Sequence, residues 1–166
     1  MTTEARQPPV CLDASLAVAL ALPEVVTPQA LPLWQQWLDE ERAIIVPPHF
    51  VVEVLSAVRR ARVLDRLTAE EERDALDLCL DEILPRVTPL WSDDNTWRVA
   101  WNWALRLRRG SLYDPLYLAV AESVGAEFWT ADGNLVRAME ADGQPRLGWA
   151  PLLERKRSST SGVLNV

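Results

Sequence analysis

The chain of 166 residues contains a single lysine (Lys156), a single histidine (His49), two cysteines (Cys11 and Cys79) and six glycines. One histidine and two cysteines are too few for a Cys/His zinc centre. A sole lysine in a polar C-terminal stretch argues against Schiff-base chemistry. Gly-x-Gly-x-x-Gly, Gly-x-x-x-x-Gly-Lys and Gly-x-Ser-x-Gly are all missing. That excludes the usual dinucleotide and phosphate cradles and the nucleophile elbow. No apolar run approaches the ~20 residues of a membrane helix. Met1 to Pro9 also lacks the basic flank and apolar core of a secretory signal. Cys11 and Cys79 sit in apolar stretches and read as buried free thiols, so the expected location is the cytoplasm.

What is present describes one soluble domain. Apolar residues make up 49% and charged residues 25%, enough to build and solvate a core without staples. Carboxylates dominate the charge: Asp plus Glu number 24 against 17 Lys plus Arg, for a net charge of −7. Such a balance excludes the broad positive field of a nucleic-acid coat protein. It leaves room for an enzyme that handles phosphates through a metal ion and a few local arginines.

Hydrophobic periodicity predicts alternating strands and helices. Val10 to Leu12 reads as a strand, followed by a helix from Leu16 to Leu22 capped by Ser15 and closed by Pro23. Helices are expected at Gln29–Arg42 and from Pro47-Pro48 to about Leu67, separated by a strand at Ala43–Val46. Thr68-Ala-Glu-Glu71 is a capping box for a helix over Ala69–Ile83. A strand at Pro85–Leu90 and a helix at Asp93–Arg108 stopped by Gly110 follow. Next come a helix over Leu112–Val124 ended by Gly125 and a strand at Glu127–Thr130. An Asp132-Gly-Asn134 turn, a helix at Leu135–Ala141 and a last strand at Arg146–Trp149 complete the series. This order implies a short parallel sheet with helices on both sides. We place the domain at residues 8–153 and a polar, mobile tail at 154–166.

Four acids stand where this layout puts ligands, outside the carboxyl ends of the strands. Asp13 ends the first strand and Asp132 follows the fourth. Glu53 lies among Val51, Val52, Val54 and Leu55, and Asp114 opens a helix among Leu112, Tyr113, Leu116 and Tyr117. Each has an ordinary alternative. Asp13 can shape a turn, Asp114 can complement a helix dipole, Asp132-Gly133 can be a plain turn, and Glu53 can reach the surface. Taken together, converging carboxylates would repel unless a hard divalent cation, Mg²⁺ or Mn²⁺, sat among them.

The motifs carry a resemblance. They are Cys11-Leu-Asp13-Ala-Ser15, Val46-Pro-Pro-His-Phe-Val-Val-Glu53-Val-Leu, Ser111-Leu-Tyr-Asp114-Pro-Leu-Tyr-Leu-Ala-Val-Ala-Glu122 and Trp129-Thr-Ala-Asp132-Gly-Asn-Leu135. In this order, from Val10 to Trp149, the chain resembles a PIN-domain ribonuclease of the kind found as the VapC toxin of bacterial toxin–antitoxin pairs. The resemblance implies that Asp13, Glu53, Asp114 and Asp132 form an acidic pocket for Mg²⁺ or Mn²⁺, with Ser15 and Thr130 in support. It implies hydrolysis of RNA phosphodiester bonds to leave 5′-phosphate and 3′-hydroxyl ends. It also implies a cognate antitoxin as partner, and we expect a homodimer. Pro115 departs from the small residue these proteins commonly carry there, but proline is harmless early in a helix.

Arg59, Arg60, Arg62, Arg106, Arg108 and Arg109 are the arginines expected to offset repulsion between an acidic protein and RNA, with Arg155-Lys156-Arg157 adding a loose hold. Of the eight tryptophans, Trp97 and Trp101 lie one helical turn apart and read as packing. Trp34 and Trp37 suit a face that receives a partner. Two other classes stay open: a PIN-like module that binds RNA or protein without cutting, and a phosphatase using Asp13 as nucleophile. The second would want an Asp at position 15 and a catalytic lysine, where this chain has Ser15 and only Lys156.

Overall fold

Short β-branched and apolar runs make the strands, as expected for a sheet buried on both faces. In the computed structural model, which describes residues 7–22 and 27–143, these are β1 (Val10–Leu12), β2 (Ile44–Val46), β3 (Val87–Pro89) and β4 (Glu127–Trp129). They form one parallel sheet in the order β3-β2-β1-β4. The chain therefore steps outward from β1 through β2 to β3 and returns to the other side of β1. That reversal opens a crevice between β1 and β4 at their carboxyl ends.

Helices flank the sheet: α1 (Ala14–Ala21), α2 (Thr27–Asp39), α3 (Phe50–Val63), α4 (Ala69–Leu78), α5 (Asp94–Arg106), α6 (Tyr113–Val124) and α7 (Gly133–Ala141). Among them, α6 lies across β1, β2 and β4 with α5 against it, while α1 packs on α2, α3 and α4. The core runs through Leu12, Leu16, Val46, Phe50, Leu118 and Phe128. Trp37 closes it, buried edge-on to Trp129 at a centroid distance of 5.3 Å. Both cysteines are buried free thiols, and burial pushes their pKa values up, Cys79 to about 11. No described helix is long and apolar enough to cross a membrane.

Several helix ends differ from expectation, and for one reason. Helices were expected to reach Arg42, Leu67 and Arg108, but they stop at Asp39, Val63 and Arg106. Glu41, Asp65 and Arg108 adopt left-handed backbone (φ 48°, 53° and 52°). Each chain then turns back, with Arg42, Arg66 and Arg109 donating their N–H groups to the carbonyls of Trp37, Ala61 and Ala104. This is the Schellman closure usually made by glycine. Gly125 makes it in the ordinary way, at φ 62°, with Ala126 N–H donating to Ala121. Gly110 stops nothing, because Arg108 has already turned the chain.

The Thr68 capping box forms as read, with both reciprocal bonds to Glu71. The helix it opens ends in a π turn over Cys79–Ile83 and a 3₁₀ turn over Leu84–Arg86, not as one α-helix. Pro85 supplies no N–H, and the winding changes just ahead of it. Ser15 does not cap α1; Asp13 holds that position, without a side-chain capping bond. The helix expected at Leu135 starts at Gly133, with Asp132 as its cap instead of a turn residue. The closing Pro23, the strand expected at Arg146–Trp149 and the tail at 154–166 lie outside the described residues.

Candidate active site

Asp13 leaves β1 at the reversal of the sheet, its N–H donating to the Trp129 carbonyl of β4. One residue beyond β4, Thr130 is 1% exposed and donates from Oγ1 to Asp13 Oδ2 at 2.6 Å. Ser15 Oγ, from the second residue of α1, donates to the same oxygen. The two hydroxyls are 3.2 Å apart. Each is itself fixed from β4's exit loop: Ser15 Oγ accepts from Ala131 N–H at 2.9 Å, and Thr130 Oγ1 from Asp132 N–H at 3.0 Å. A backbone loop thus orients two hydroxyls, and the hydroxyls orient one carboxylate. Burial pushes the Asp13 carboxyl up to about 6, against the two hydroxyl bonds and with the help of Asp114 and Asp132.

The other three acids come from separate elements. Asp132 caps α7, its Oδ1 accepting from the N–H groups of Asn134 (2.7 Å) and Leu135 (3.3 Å). Glu53 lies in the first turn of α3 and is half-buried. Its Oε2 accepts from the Tyr117 hydroxyl of α6 at 2.6 Å. Burial raises its pKa, with Tyr117 opposing and Asp13 and Asp114 adding. Asp114, in the first turn of α6, is also raised, first by burial and then by Asp132, against the Arg109 guanidinium. Pro115 sits one residue further in that turn, buried, where no helical N–H is needed.

Two more groups border these acids. His49 Nε2 stands 3.3 Å from Glu53 Oε2, and its ring lies edge-on to Tyr113 and Tyr117. Burial holds the imidazole below its ordinary value, so at neutral pH this contact is not an ion pair. Arg109 Nε is 3.7 Å from Asp114 Oδ2, an electrostatic contact too long for a hydrogen bond. Its buried Nε and Nη2 have no hydrogen-bond partner. Among the described residues, no three His, Cys, Asp or Glu side chains converge tightly enough to form a ready-made cation cage. Neighbouring acids help to raise Asp13, Glu53 and Asp114, yet the four carboxylates do not meet at a point. As a donor set they are all oxygen, which suits Mg²⁺ or Mn²⁺ and not a soft metal.

The family model for the PIN domain matches residues 10–140, from β1 into α7, and so spans every one of these acids. The chain belongs to the PIN-domain family. In fold, this PIN domain is similar to the crystal structure of Mycobacterium tuberculosis VapC20, described as a sarcin-ricin loop cleaving toxin. The TM-score is 0.56 and the identity 18%, over 78% of this chain and 94% of that one. No curated protein matches the chain by sequence.

The arginines of this PIN domain divide by partner. Arg59 pairs with Glu72 of α4 at 2.9 Å, and Arg62 approaches Asp65 at 3.3 Å and Glu72 at 3.9 Å. Arg106 pairs with Asp142 and lies over the Trp103 ring. Arg60 and Arg108 are exposed, and Arg109 belongs to the acid cluster itself. Sequence reasoning missed Tyr117 and His49 as neighbours of the acids. Their spacing held the signal, since Tyr117 lies three residues after Asp114 and His49 four before Glu53, each on its acid's helical face. Trp97 and Trp101, read as packing, are instead exposed at 45% and 59%.

Proposed function

We propose that this PIN domain is a metal-dependent endoribonuclease and the toxin of a toxin–antitoxin pair, acting in the cytoplasm. The observation that carries the proposal is the Asp13 network. A buried carboxylate is held by two oriented hydroxyls, and burial together with the nearby charges of Asp114 and Asp132 raises its pKa. Folding does not place repelling charges together for stability's sake, and strongly perturbed acids in a crevice mark a working site.

In this reading Asp13, Glu53, Asp114 and Asp132 would hold Mg²⁺ or Mn²⁺. When bound, the ion supplies charge neutralisation at a phosphate oxygen and a more acidic water. The chain's own residues do the positioning. Ser15 and Thr130 both engage Oδ2 of Asp13, so Oδ1 takes no part in that network. Tyr117 fixes Glu53 across the α3–α6 gap. Asp114 is assigned to orient the attacking water and accept its proton, with Arg109 beside it to balance charge and meet a phosphate.

An RNA substrate, a cognate antitoxin and a homodimer complete the proposal. Val52, Val63 and Leu64, exposed on or just beyond α3, offer apolar surface for a protein partner. The test is calorimetric titration of Mn²⁺ into wild type and Glu53→Gln, followed by end analysis of RNA cut by the wild type. Saturable binding weakened in the variant, with 5′-phosphate and 3′-hydroxyl products, supports the proposal. Absence of both binding and cutting would favour a PIN-like module that holds RNA or protein without cleaving it.

A further inference from the structure

Helix α5 buries Thr96, Ala100, Trp103 and Ala104 and turns the opposite way what a surface helix normally hides. Trp97, Trp101 and Leu105 recur every fourth residue, at 45%, 59% and 65% exposure, and Trp91 just before the helix reaches 82%. Arg98 is exposed beside the two indoles, and Arg108 stands exposed just past the helix. Among the described residues neither arginine has a carboxylate partner. The only acid within the helix is Asp94, in its first turn.

The stripe also has a direction. Its C-terminal end opens into a small cleft lined by Trp101, Leu105, Arg109, Ser111 and Leu112. Arg109 reaches from that cleft to within 3.7 Å of Asp114. Exposed indoles interleaved with free guanidinium groups, leading to a cluster of acids, are the elements of a single-strand track. Bases of any identity stack on indole faces, and arginines take the phosphates.

We propose that the outer face of α5 is a binding track for single-stranded RNA, with bases on Trp97 and Trp101 and phosphates on Arg98 and Arg108, delivering the strand past Arg109 to the acids. The inference rests on the nuclease reading for its destination. Charge favours RNA over a second copy of the chain as the occupant. Pairing this face with itself would offer the unpartnered Arg98 and Arg108 only Asp93 and Asp94, both at the N-terminal end of the helix, whereas a phosphate backbone presents an acceptor along the whole stripe.

The test is fluorescence anisotropy of a short labelled single-stranded RNA in EDTA, over a salt series, with light scattering to give the protein's mass. Trp101→Ala should bind about tenfold more weakly with an unchanged salt slope. Trp101→Phe should recover most of that loss, because a phenyl ring still stacks. Arg98→Ala should weaken binding and reduce the slope of log affinity against log salt by about 1. A duplex of the same sequence should bind less tightly than the single strand. Unchanged RNA affinity in Trp101→Ala and Arg98→Ala overturns the track. So does a change of molecular mass in Trp101→Ala, which would make the stripe a contact between copies. Because binding is read without metal, the two readings fail separately. RNA held on α5 by a protein that does not cut with Mn²⁺ leaves the track standing and refutes the nuclease. Cleavage by Trp101→Ala at wild-type kcat/KM does the reverse.

Discussion

Replacing Asp13 with asparagine should make the metal-free protein more stable while abolishing cleavage. The wild-type carboxyl is 6% exposed and is pushed from 3.8 up to about 6, by burial first and by Asp114 and Asp132 in addition. The native state therefore holds this proton more tightly than the unfolded chain. Stability falls as pH rises from about 4 to about 6, and the deficit is complete above that window. The displacement corresponds to about 3 kcal/mol. Asparagine removes the charge and keeps an oxygen that can accept from Ser15 and Thr130, so a gain of about 1–3 kcal/mol is expected at neutral pH. For a chain of this size each kcal/mol moves Tm by roughly 2–4 °C. Calorimetric melting in EDTA should show the variant several degrees above wild type at about pH 7.5. By about pH 5 the gap should shrink to roughly half. Adding Mn²⁺ should raise the wild-type Tm more than the variant's. A variant that melts at or below wild type at neutral pH, or a gap that ignores pH, would refute the reasoning.

Two further predictions follow from the same geometry. Tyr117→Phe removes a 2.6 Å bond to Glu53 that lowers the carboxyl's pKa, so the acidic limb of the cleavage–pH profile should move to higher pH. A profile that stays put would show that Tyr117 does not tune Glu53; the bond itself is of the kind worth about 1.5–3 kcal/mol. Glu41→Gly should stabilise by up to about 1 kcal/mol, read as a higher denaturant midpoint, because an exposed non-glycine residue there holds φ 48°. A lower midpoint would mean that its side chain contributes more than its backbone costs.

Much of the fold is legible because the strands and caps are local signals. Val10–Leu12 and Ile44–Val46 are too short and β-branched for helices, and Thr68 with Glu71 announces a helix start. Helix ends were less legible because Glu41, Asp65 and Arg108 do a glycine's work, and of these only aspartate is a residue type that favours left-handed backbone. The acids could be picked out because each stands just past a strand or in an early helical turn, where a parallel sheet gathers its ligands. Their partners were harder to see. Ser15 looks like a helix cap from its neighbours; only the resemblance set it and Thr130 in support of Asp13, and the β1–β4 pairing is what brings the three together. Arg109 looks like a surface cation until the left-handed turn at Arg108 folds it back toward Asp114. The Trp97–Trp101 spacing reveals a helical face but not whether anything covers it.

The most direct test of the account is cleavage of a labelled RNA panel by wild type and Asp114→Asn, with Mg²⁺ or Mn²⁺ and with EDTA. The account predicts cutting by wild type that requires the metal and is lost in the variant, with both proteins equally folded. Cutting that persists in EDTA or in Asp114→Asn would contradict it.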